Sequence, residues 1–487
     1  MSFRWQESLK TQFDKYFENE SIKGVAQAIV FGYKEDLDDE WMDAFSKTGT
    51  IHVLAVSGLH VGIIFIMLSF LLRLKGSKGR SLIIKSVVAM LVLFLYCLVT
   101  GFSPSVSRAS LMFGTVIIVK AFKRNSNIYN TLTFAAFVLL IINPMNLYNV
   151  GFQFSFLAVI GIVYYKDYFR ALWPQYTWIG DKVITLLSVS IAAQINTFPI
   201  GLYYFHQYPN LFMFSNLIVI PCITVILYSG IFFIAFGWIS ESIAEFFARI
   251  SEVYITFISR IVHYIQDVPY AFFENVHISF SQMLLIYVFI ITLTISLVHK
   301  WSYGFMWSLL AVAAFLFSDY KYDRSMASVQ VVCFDVRNET LIGFKEENAI
   351  TFIASEGVFQ DVSKVDFIIT PYLVKERLTE SYSVVPLQCI ANEQKHGRLS
   401  ILGKGMVCFD NKSYLFLDKL KDYVNDTINT DYVIIGKEKN SQYISKVLPL
   451  INSKKTIILD NWRMEELKAE DKSNNSVIQS KGCVILN

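Results

Sequence analysis

Long apolar runs separated by short polar turns fill the chain from residue 51 to residue 318. A helix needs roughly 20 apolar residues to cross the hydrocarbon core of a bilayer, so this pattern predicts about ten membrane-spanning helices. The predicted segments are 51–72, 82–100, 106–121, 129–143, 151–165, 183–204, 211–237, 243–267, 281–298 and 302–318. For two of these segments, an alternative to a single membrane-spanning helix is open. Pro221 could divide 211–237 into two half-helices, and the charged, amphipathic segment 243–267 could lie in the membrane interface.

The pattern changes on both sides of this region. Residues 1–50 form a polar N-terminal segment with an acidic run between Glu35 and Asp43. From residue 328 onward, short runs of β-branched and aromatic residues alternate with polar turns, which is typical of strands. Strands are predicted at 328–336, 349–355, 365–374, 413–418, 431–436, 455–460 and 482–487, and a helix at 441–451. We therefore predict a polytopic α-helical membrane protein, with its bundle at 51–320, followed by a soluble α/β domain at 328–487.

Composition supports a membrane protein and argues against several site classes. Hydrophobic residues make up 54% and charged residues 17% of the chain, whereas about a quarter of a soluble protein is charged. A net charge of +3 provides no global basic field for nucleic acid. The cysteines show no CxxC spacing, so neither a zinc site nor a redox site is indicated. Four of them lie in the C-terminal domain, where an oxidising compartment would permit disulfides in any of three pairings, or none: Cys333, Cys389, Cys408 and Cys483.

Basic residues cluster at every second connection between the predicted helices, for example at Lys120–Arg124 and Lys166–Arg170. Because such clusters remain on the cytoplasmic side, residues 101–105, 144–150 and 205–210 are predicted to lie outside. Both termini are then outside if 243–267 spans the membrane. Residues 1–50 would have to cross without an export signal. We therefore expect either that helices precede them in the natural protein, or that 1–50 stay inside and the helix count differs by one.

The first apolar run contains three polar side chains, those of His52, Ser57 and His60. Such groups are costly at membrane depth unless they face a partner or water, so they indicate either hydrogen bonds between helices or a wet passage. Gly58 and Gly62 permit a close helix approach or a helix break. Two histidines could begin a metal site, but no third ligand is evident nearby and no metal is predicted. Ser57 with His60 could also serve a membrane-embedded hydrolase, although no acidic partner lies near them.

A second group of polar residues lies farther along the bundle. Ser103 and Pro104 are typical of a helix start, which places Arg108 one turn inside the helix. Arg108 could snorkel to lipid headgroups or offer a fixed positive charge to a phosphate. Amide side chains within apolar runs either hydrogen-bond between helices or mark broken helices that line a cavity. They are Gln153, Gln194, Asn196 and Asn216.

Five motifs, in order along the chain, resemble the signature of the ComEC-type competence channel family. They begin at His52 (HVLAVSGLHVG), Gly101 (GFSPSVSRA) and Gly151 (GFQFSF), and include the pairs Gln194 with Pro199 and Asn216 with Pro221. The match covers roughly 25–320. The resemblance implies a multi-pass protein of the bacterial inner membrane that imports single-stranded DNA during natural transformation. The residues then expected to line the DNA path are His52, Ser57, His60, Arg108, Gln153, Gln194, Asn196 and Asn216. Those expected to shape its helices are Gly58, Gly62, Gly101, Pro104, Gly151, Pro199 and Pro221.

Two departures from the family pattern change what is expected. Family members often carry an exported oligonucleotide-binding-like domain, which this sequence lacks, and residues 1–50 look like the segment that follows it. Many members end in a metallo-β-lactamase-like domain that needs a His-x-His-x-Asp-His motif for its metals. Here the C-terminal domain has one histidine, His396, and Lys437, Glu438 and Lys439 occupy the position of a histidine pair. We therefore expect a degenerate, metal-free relative of that fold, no cofactor and no enzymatic activity.

The resemblance also implies partners. The sequence has no GxxxxGK[ST] motif, so a cytoplasmic ATP-driven motor and an external DNA-receptor protein are expected to move and deliver the strand. A homodimer embedded in the lipid bilayer is expected, because one bundle would be narrow. The alternative function is a polytopic permease for a small anionic solute, which histidines, an arginine and broken helices serve equally well.

Overall fold

The computed structural model describes most of the chain and divides it into two compact units, 1–309 and 310–487. The described residues are 2–54, 56–74, 79–121, 127–174, 177–237, 239–326, 328–336, 339–360, 362–379, 381–387, 393–396, 398–403, 405–416, 428–435, 451–458 and 484–486. The predicted helix at 441–451 lies almost entirely outside these residues.

The first unit is helical, as the apolar pattern predicts. Its helices are α1 (Ser2–Tyr16), α2 (Glu20–Phe31), α3 (Asp39–Lys47), α4 (Ile51–Leu54), α5 (Gly58–Leu71), α6 (Gly79–Val99), α7 (Pro104–Ala121), α8 (Ile128–Ile142), α9 (Val150–Ala171), α10 (Trp178–Phe205), α11 (Phe212–Phe236), α12 (Glu241–Gln266), α13 (Phe280–His299) and the start of α14 (Ser302–Met326). A 3₁₀ turn, Pro144–Tyr148, joins α8 to α9.

Among the described residues, five helices are long and apolar enough to cross a membrane, namely α6, α10, α11, α13 and α14. Three shorter apolar helices, α5, α7 and α8, accompany them. The mostly helical, membrane-embedded architecture is therefore confirmed, whereas a total of ten spans remains a prediction. Many large apolar side chains of these helices are exposed, as expected where lipid replaces water as the solvent.

Helix α2 lies in the interior of the bundle, although it belongs to the segment predicted to be polar. Its side chains from Lys23 to Phe31 are buried, and they form one core with α11 and α12. The ammonium group of Lys23 pairs with Asp14 at 2.9 Å and Glu20 at 2.5 Å. The acidic run lies mainly in α3 and in the turn before it. Residues 2–47 thus contribute three helices to the first unit.

The alternative of two half-helices at Pro221 is wrong, since α11 runs without interruption from Phe212 to Phe236. A proline in mid-helix leaves one carbonyl without its usual donor and pushes the helix to bend. Dense packing on both sides of Pro221 holds α11 together here, because Val219, Cys222 and Ile223 are all buried against α2 and α12.

Helices α11 and α12 form a hairpin whose ends meet. The short strand β1 (Tyr208–Pro209), just before α11, pairs antiparallel with β2 (Phe272–Phe273), just after α12. The N–H of Val276 donates to the carbonyl of His206 at 2.8 Å, and the N–H of Asn210 donates to the carbonyl of Ala271 at 2.8 Å. The chain therefore returns after α12 to the end of the bundle from which α11 started.

The second unit begins within α14, and its described residues form two sheets and two further helices. The sheets are built from β3 (Gln330–Val336), β4 (Glu339–Lys345), β5 (Ile350–Ala354), β6 (Tyr382–Pro386), β7 (Glu393–His396), β8 (Leu399–Gly403), β9 (Met406–Phe409), β10 (Lys412–Phe416), β11 (Ile428–Ile435), β12 (Ile451–Ile458) and β13 (Val484–Leu486). One sheet has the order β13-β3-β4-β5-β6, and the other has the order β12-β11-β10-β9-β8-β7. The helices are α15 (Glu356–Gln360) and α16 (Val362–Glu376).

The two sheets pack face to face through one apolar core, in which Phe344 of β4 contacts Phe409 of β9 and Tyr414 of β10. The other face of the first sheet is covered by α15 and α16. The strand predicted at 365–374 is wrong, because these residues belong to α16. The β-branched run favours a strand locally, but Ile369, Tyr372 and Leu373 lie on one helical face and fill the core over β5. An α/β domain is present, while its likeness to the metallo-β-lactamase fold remains a prediction.

Two of the four C-terminal cysteines lie in the described part of the chain. Cys333 and Cys408 are reduced thiols on neighbouring sheets, and Cys389 and Cys483 lie outside the described residues. Within the ranges given above, no three His, Cys, Asp or Glu side chains come together as a metal site.

Candidate functional site

The first motif lies at a break between two helices. α4 ends at Leu54, and α5 begins at Gly58 with Ser57 as its N-cap residue. The ring of His52 is exposed, and its Nδ1 lies 3.2 Å from the carbonyl oxygen of Gly49. A Cβ added at Gly58 would lie 3.5 Å from the Cβ of Ala109, so this end of α5 packs directly on α7. At Gly62 the corresponding distance to the ring of Phe113 is 3.4 Å.

His60 is held in one tautomer by the turn that precedes it. The backbone N–H of Ser57 donates to Nδ1 of His60 at 3.2 Å, and the Ser57 hydroxyl lies 3.1 Å from the same nitrogen. Because Nδ1 accepts, the proton of the neutral ring is on Nε2. His60 is fully buried, and its Nε2 has no hydrogen-bond partner among the described residues. A hydrolase would need a carboxylate at this second nitrogen, and the described ion pairs include none with His60.

The second motif forms a tight turn followed by a helix start. Gly101 has φ +65°, a conformation that glycine adopts without strain. Ser103 accepts a hydrogen bond from the N–H of Val106 at 3.5 Å, and α7 begins at Pro104. This agrees with the predicted N-cap and places Arg108 one turn inside α7. The contact between Ala109 and Gly58 joins this motif to the first one.

Arg108 is a buried cation without a counter-charge in the described part of the chain. Only 5% of the residue is exposed, and its Nε has no hydrogen-bond partner. The described ion pairs include no carboxylate within 4.0 Å of its guanidinium. Snorkelling would have exposed the head group, so the burial argues against that alternative. An uncompensated buried charge costs several kcal/mol, which makes this residue the strongest candidate for binding an anion.

The guanidinium of Arg108 lies against the N-terminus of α9. A Cβ added at Gly151 would lie 3.3 Å from Nη2 of Arg108 and 3.2 Å from Oδ1 of Asn149. Asn149 is the N-cap residue, and its Oδ1 accepts from the N–H of Phe152 at 3.1 Å. One turn into the helix, the Nε2 of Gln153 donates to the carbonyl of Leu147 at 2.8 Å.

Gln153 also lines a groove of about 440 Å³ between α9, α10 and α13. Aromatic rings dominate its walls, and amide and hydroxyl groups provide its polar contacts. The lining residues are Phe152, Gln153, Phe156, Leu157, Ile160, Ile200, Tyr203, Tyr204, Phe280, Met283 and Tyr287. Gln153 is therefore accessible from a cavity, although one of its amide hydrogens is used by the backbone.

The remaining predicted amides have different environments. Gln194 of α10 lies near the hydroxyl of Tyr208. The Nδ2 of Asn196 donates weakly, at 3.4 Å, to the carbonyl of Leu157 on α9, next to Pro199, which is buried within α10. Asn216 is buried on α11, and its Oδ1 has no partner among the described residues. Asn196 thus bonds to a neighbouring helix in this structure, whereas Asn216 keeps an unused acceptor among the described residues.

The structure brings Arg108, Gly151 and Gln153 together and joins them, through Gly58, to the Ser57–His60 turn. Sequence reasoning missed Asn149, although asparagines at 143, 146 and 149 ahead of an apolar run are typical of helix caps. The sequence analysis had recognised segment 243–267 as charged and amphipathic, and the structure arranges its polar residues as a stripe along α12 that includes Glu245, Arg249, Glu252, Thr256 and Arg260. The last three of these line a depression of about 480 Å³. Their spacing of three and four residues was the available signal.

Five apolar helices of membrane-spanning length, together with a buried cation that has no acidic partner among the described residues, characterise a membrane protein with a polar internal site. The chain belongs to the Competence protein family, whose model matches residues 29–300. The model of the ComEC C-terminal domain matches residues 331–479. The resemblance on which the sequence analysis rests is therefore confirmed.

Among curated proteins, the chain is similar to ComE operon protein 3 of Bacillus subtilis, with 30% identity over 279 residues, which is 56% of this chain and 34% of that protein. An uncharacterized protein of Aquifex aeolicus is 32% identical over 195 residues, covering 39% of this chain and 43% of its own. Recombination protein 2 of Haemophilus influenzae is 24% identical over 238 residues, covering 46% and 30%. The chain thus matches less than half the length of each of these relatives. No solved structure matches it.

Proposed function

We propose that this protein transports single-stranded DNA across the bacterial cytoplasmic membrane during natural transformation, with the helical bundle as the conduit. The observation that carries the proposal is Arg108, a cation that is 5% exposed and has no acidic partner in the described residues. A DNA strand brings one negative charge per nucleotide, and a passage through a low-dielectric slab needs fixed positive groups to stabilise it. Membership of the Competence family supports DNA as the anion.

The β1–β2 ribbon supports the topology of the proposal. Since β1 pairs with β2, both ends of the α11–α12 hairpin lie on one side of the membrane, and α12 crosses it beside α11. Basic loops then remain cytoplasmic, and residues 101–105, 144–150 and 205–210 are external. Gln207 donates to the hydroxyl of Ser46 at 2.6 Å, which favours an external position for the end of α3. The C-terminal domain, after two further crossings, is external as well.

The charged stripe of α12 supports a homodimer. If α12 crosses the bilayer, its exposed Glu245, Arg249 and Arg260 cannot face lipid without a large cost. Alternating signs at a spacing of three and four residues allow a second copy of the same helix to satisfy them. We include in the proposal a cytoplasmic ATP-driven motor, an external DNA-receptor protein and a C-terminal domain that neither binds metal nor cleaves DNA.

The test is a deletion strain complemented with variants of the full chain, scored for import of fluorescently labelled DNA. Arg108→Gln is expected to lower import at least tenfold at normal membrane abundance, because it removes the buried charge. Arg108→Lys is expected to retain part of the activity, since a lysine supplies charge without the fork geometry.

Arg398→Gln is the matched control, because Arg398 lies in the C-terminal unit, is exposed, and forms an ion pair with Glu347 that is a surface interaction of small energy. Unchanged import in the deletion strain would remove the proposed function. In that case, saturable uptake of a small anion by the purified protein in liposomes would support the permease alternative.

A further inference from the structure

The N-terminus of α9 has free hydrogen-bond donors. In a helix the first N–H groups have no partner within the helix. Here Asn149 supplies acceptors for Phe152 and Gln153. The N–H groups of Val150 and Gly151 have no acceptor in the described part of the chain. Gly151 is exposed, so these donors are open to a ligand. The helix dipole adds roughly half a positive charge at this end.

The guanidinium of Arg108 is directed at these donors. Its Nη2 and Nη1 lie 3.3 Å and 3.8 Å from the position of a Cβ at Gly151. Two positive groups, the guanidinium and the helix N-terminus, therefore lie in contact, and each repels the other. An oxyanion bound beside them would relieve this repulsion, because its oxygens can accept from both groups at once.

We propose that Arg108 and the first turn of α9 form a binding site for one phosphodiester of the transported strand. This inference rests on the proposed function and specifies the chemistry of that site. The ligand is a tetrahedral oxyanion of phosphate type, bound by the fork of Arg108 and by the N–H groups of Val150 and Gly151. The site contacts the backbone and no base, so it accepts any sequence.

The absence of a side chain at residue 151 is part of the site. A Cβ there would lie 3.2 Å from Oδ1 of Asn149 and 3.3 Å from Nη2 of Arg108. A methyl group would therefore displace the guanidinium or occupy the space where a phosphate oxygen binds. Gly114, in the middle of α7, has nothing within 4 Å of its Cβ position, which makes it a matched control.

A lipid headgroup offers the same phosphate chemistry. The observations favour DNA, because only 5% of Arg108 is exposed, whereas a side chain that binds headgroups at the bilayer surface snorkels outward. The experiment distinguishes a lipid headgroup from DNA as the source of the phosphate by measuring how strongly each competes for the site.

The experiment measures binding of fluorescent oligothymidylate to the purified full chain in detergent, with folding checked by thermal unfolding. Gly151→Ala is expected to weaken binding about tenfold, a change of about 1.4 kcal/mol. Gly114→Ala is expected to bind like the wild type. An oligonucleotide of mixed sequence should compete equally, and an uncharged methylphosphonate oligonucleotide should not.

Asn149→Asp distinguishes an anion site from a merely structural helix end. Aspartate is an equally good N-cap and interacts favourably with the helix dipole, and its carboxylate pairs with Arg108. This variant is expected to unfold at an equal or higher temperature while losing DNA affinity at least tenfold. For the residual binding, the slope of the logarithm of the binding constant against the logarithm of the salt concentration is expected to decrease by about the contribution of one phosphate contact.

Wild-type affinity in both Gly151→Ala and Asn149→Asp would overturn the site while leaving DNA transport intact. Competition by short-chain phosphatidylglycerol or inorganic phosphate as strong as that by oligothymidylate would assign the site to a headgroup or a free anion instead. A wild-type protein that neither binds nor imports DNA would overturn the proposed function, and the site as a DNA contact with it.

Discussion

Two buried cations of this chain differ in how they are neutralised. Lys345 of β4 is fully buried and pairs with Glu376 of α16, and its ammonium group also donates to the carbonyl of Met326 at 2.7 Å. Arg108 has no such partner in the described residues. A buried charge that is paired is a structural element, whereas one that remains unpaired is available to a ligand. This contrast supports the proposed role of Arg108 as an anion-binding residue.

The Lys345–Glu376 pair gives a prediction at the residue scale. Lys345→Met alone is expected to destabilise the C-terminal unit by about 3–5 kcal/mol, because Glu376 is left as an uncompensated buried charge. Lys345→Met combined with Glu376→Leu is expected to recover most of that loss. The measurement is the rate of thiol labelling at Cys333, which is buried in the sheet core, in the full chain at rising denaturant concentration. Equal labelling of the single and double variants would contradict the interpretation.

At the scale of elements, the bundle depends on close contacts between helices. Gly161 of α9 lies so near the carbonyl of Ala192 on α10 that a Cβ would overlap it. Gly230 of α11 has the same relation to the side chain of Val30 on α2. Small residues at helix crossings let backbones approach, which compensates for the weak hydrophobic drive between helices in lipid.

Gly161→Ala is therefore expected to separate α9 from α10 and to destabilise the bundle by about 1–3 kcal/mol. Because Asn196 bonds across the same crossing, its weak contact with Leu157 should be lost as well. Thermal unfolding of the protein in detergent measures the effect. Gly114→Ala serves again as the control and is expected to be neutral or stabilising by up to about 1 kcal/mol, since alanine favours a helix. A Gly161→Ala protein with an unchanged unfolding temperature would show that the helices are not packed this closely.

At the scale of the whole molecule, the β1–β2 ribbon is the observation that bears on the direction in which each helix is proposed to cross the membrane. A helix as charged as α12 would be assigned to the membrane surface from composition alone. Pairing of β1, which precedes α11, with β2, which follows α12, supports the proposal that the two helices cross together. The end of α14 is also tied to the C-terminal unit, because Arg377 pairs with both Asp319 and Asp323.

This topology predicts the outcome of reporter fusions. Alkaline phosphatase, which is active only after export, is expected to be active when fused after residue 487 and inactive when inserted beside Lys166 and Arg170. Fluorescence of a cytoplasmic reporter should show the reverse pattern. An inactive phosphatase at the C-terminus would mean that α12 does not cross the membrane and that the positions of the later helices are reversed.

The sequence by itself determined the features that depend on local composition. Apolar runs predicted the membrane helices, because lipid selects segments by hydrophobicity along the chain. Ser103 with Pro104 predicted the start of α7, since caps act on the backbone of their own turn. The ordered motifs predicted the family.

Only the tertiary structure decided the features that depend on partners distant in sequence. It placed α2 inside the core, kept α11 continuous through Pro221, and made residues 365–374 a helix because Ile369 and Leu373 fill a core against a sheet. It also separated Arg108 from Asn196, two polar residues of similar appearance in the sequence. Among the described residues, Arg108 has no counter-charge, whereas Asn196 is hydrogen-bonded across a helix crossing. That difference depends on neighbours contributed by other helices.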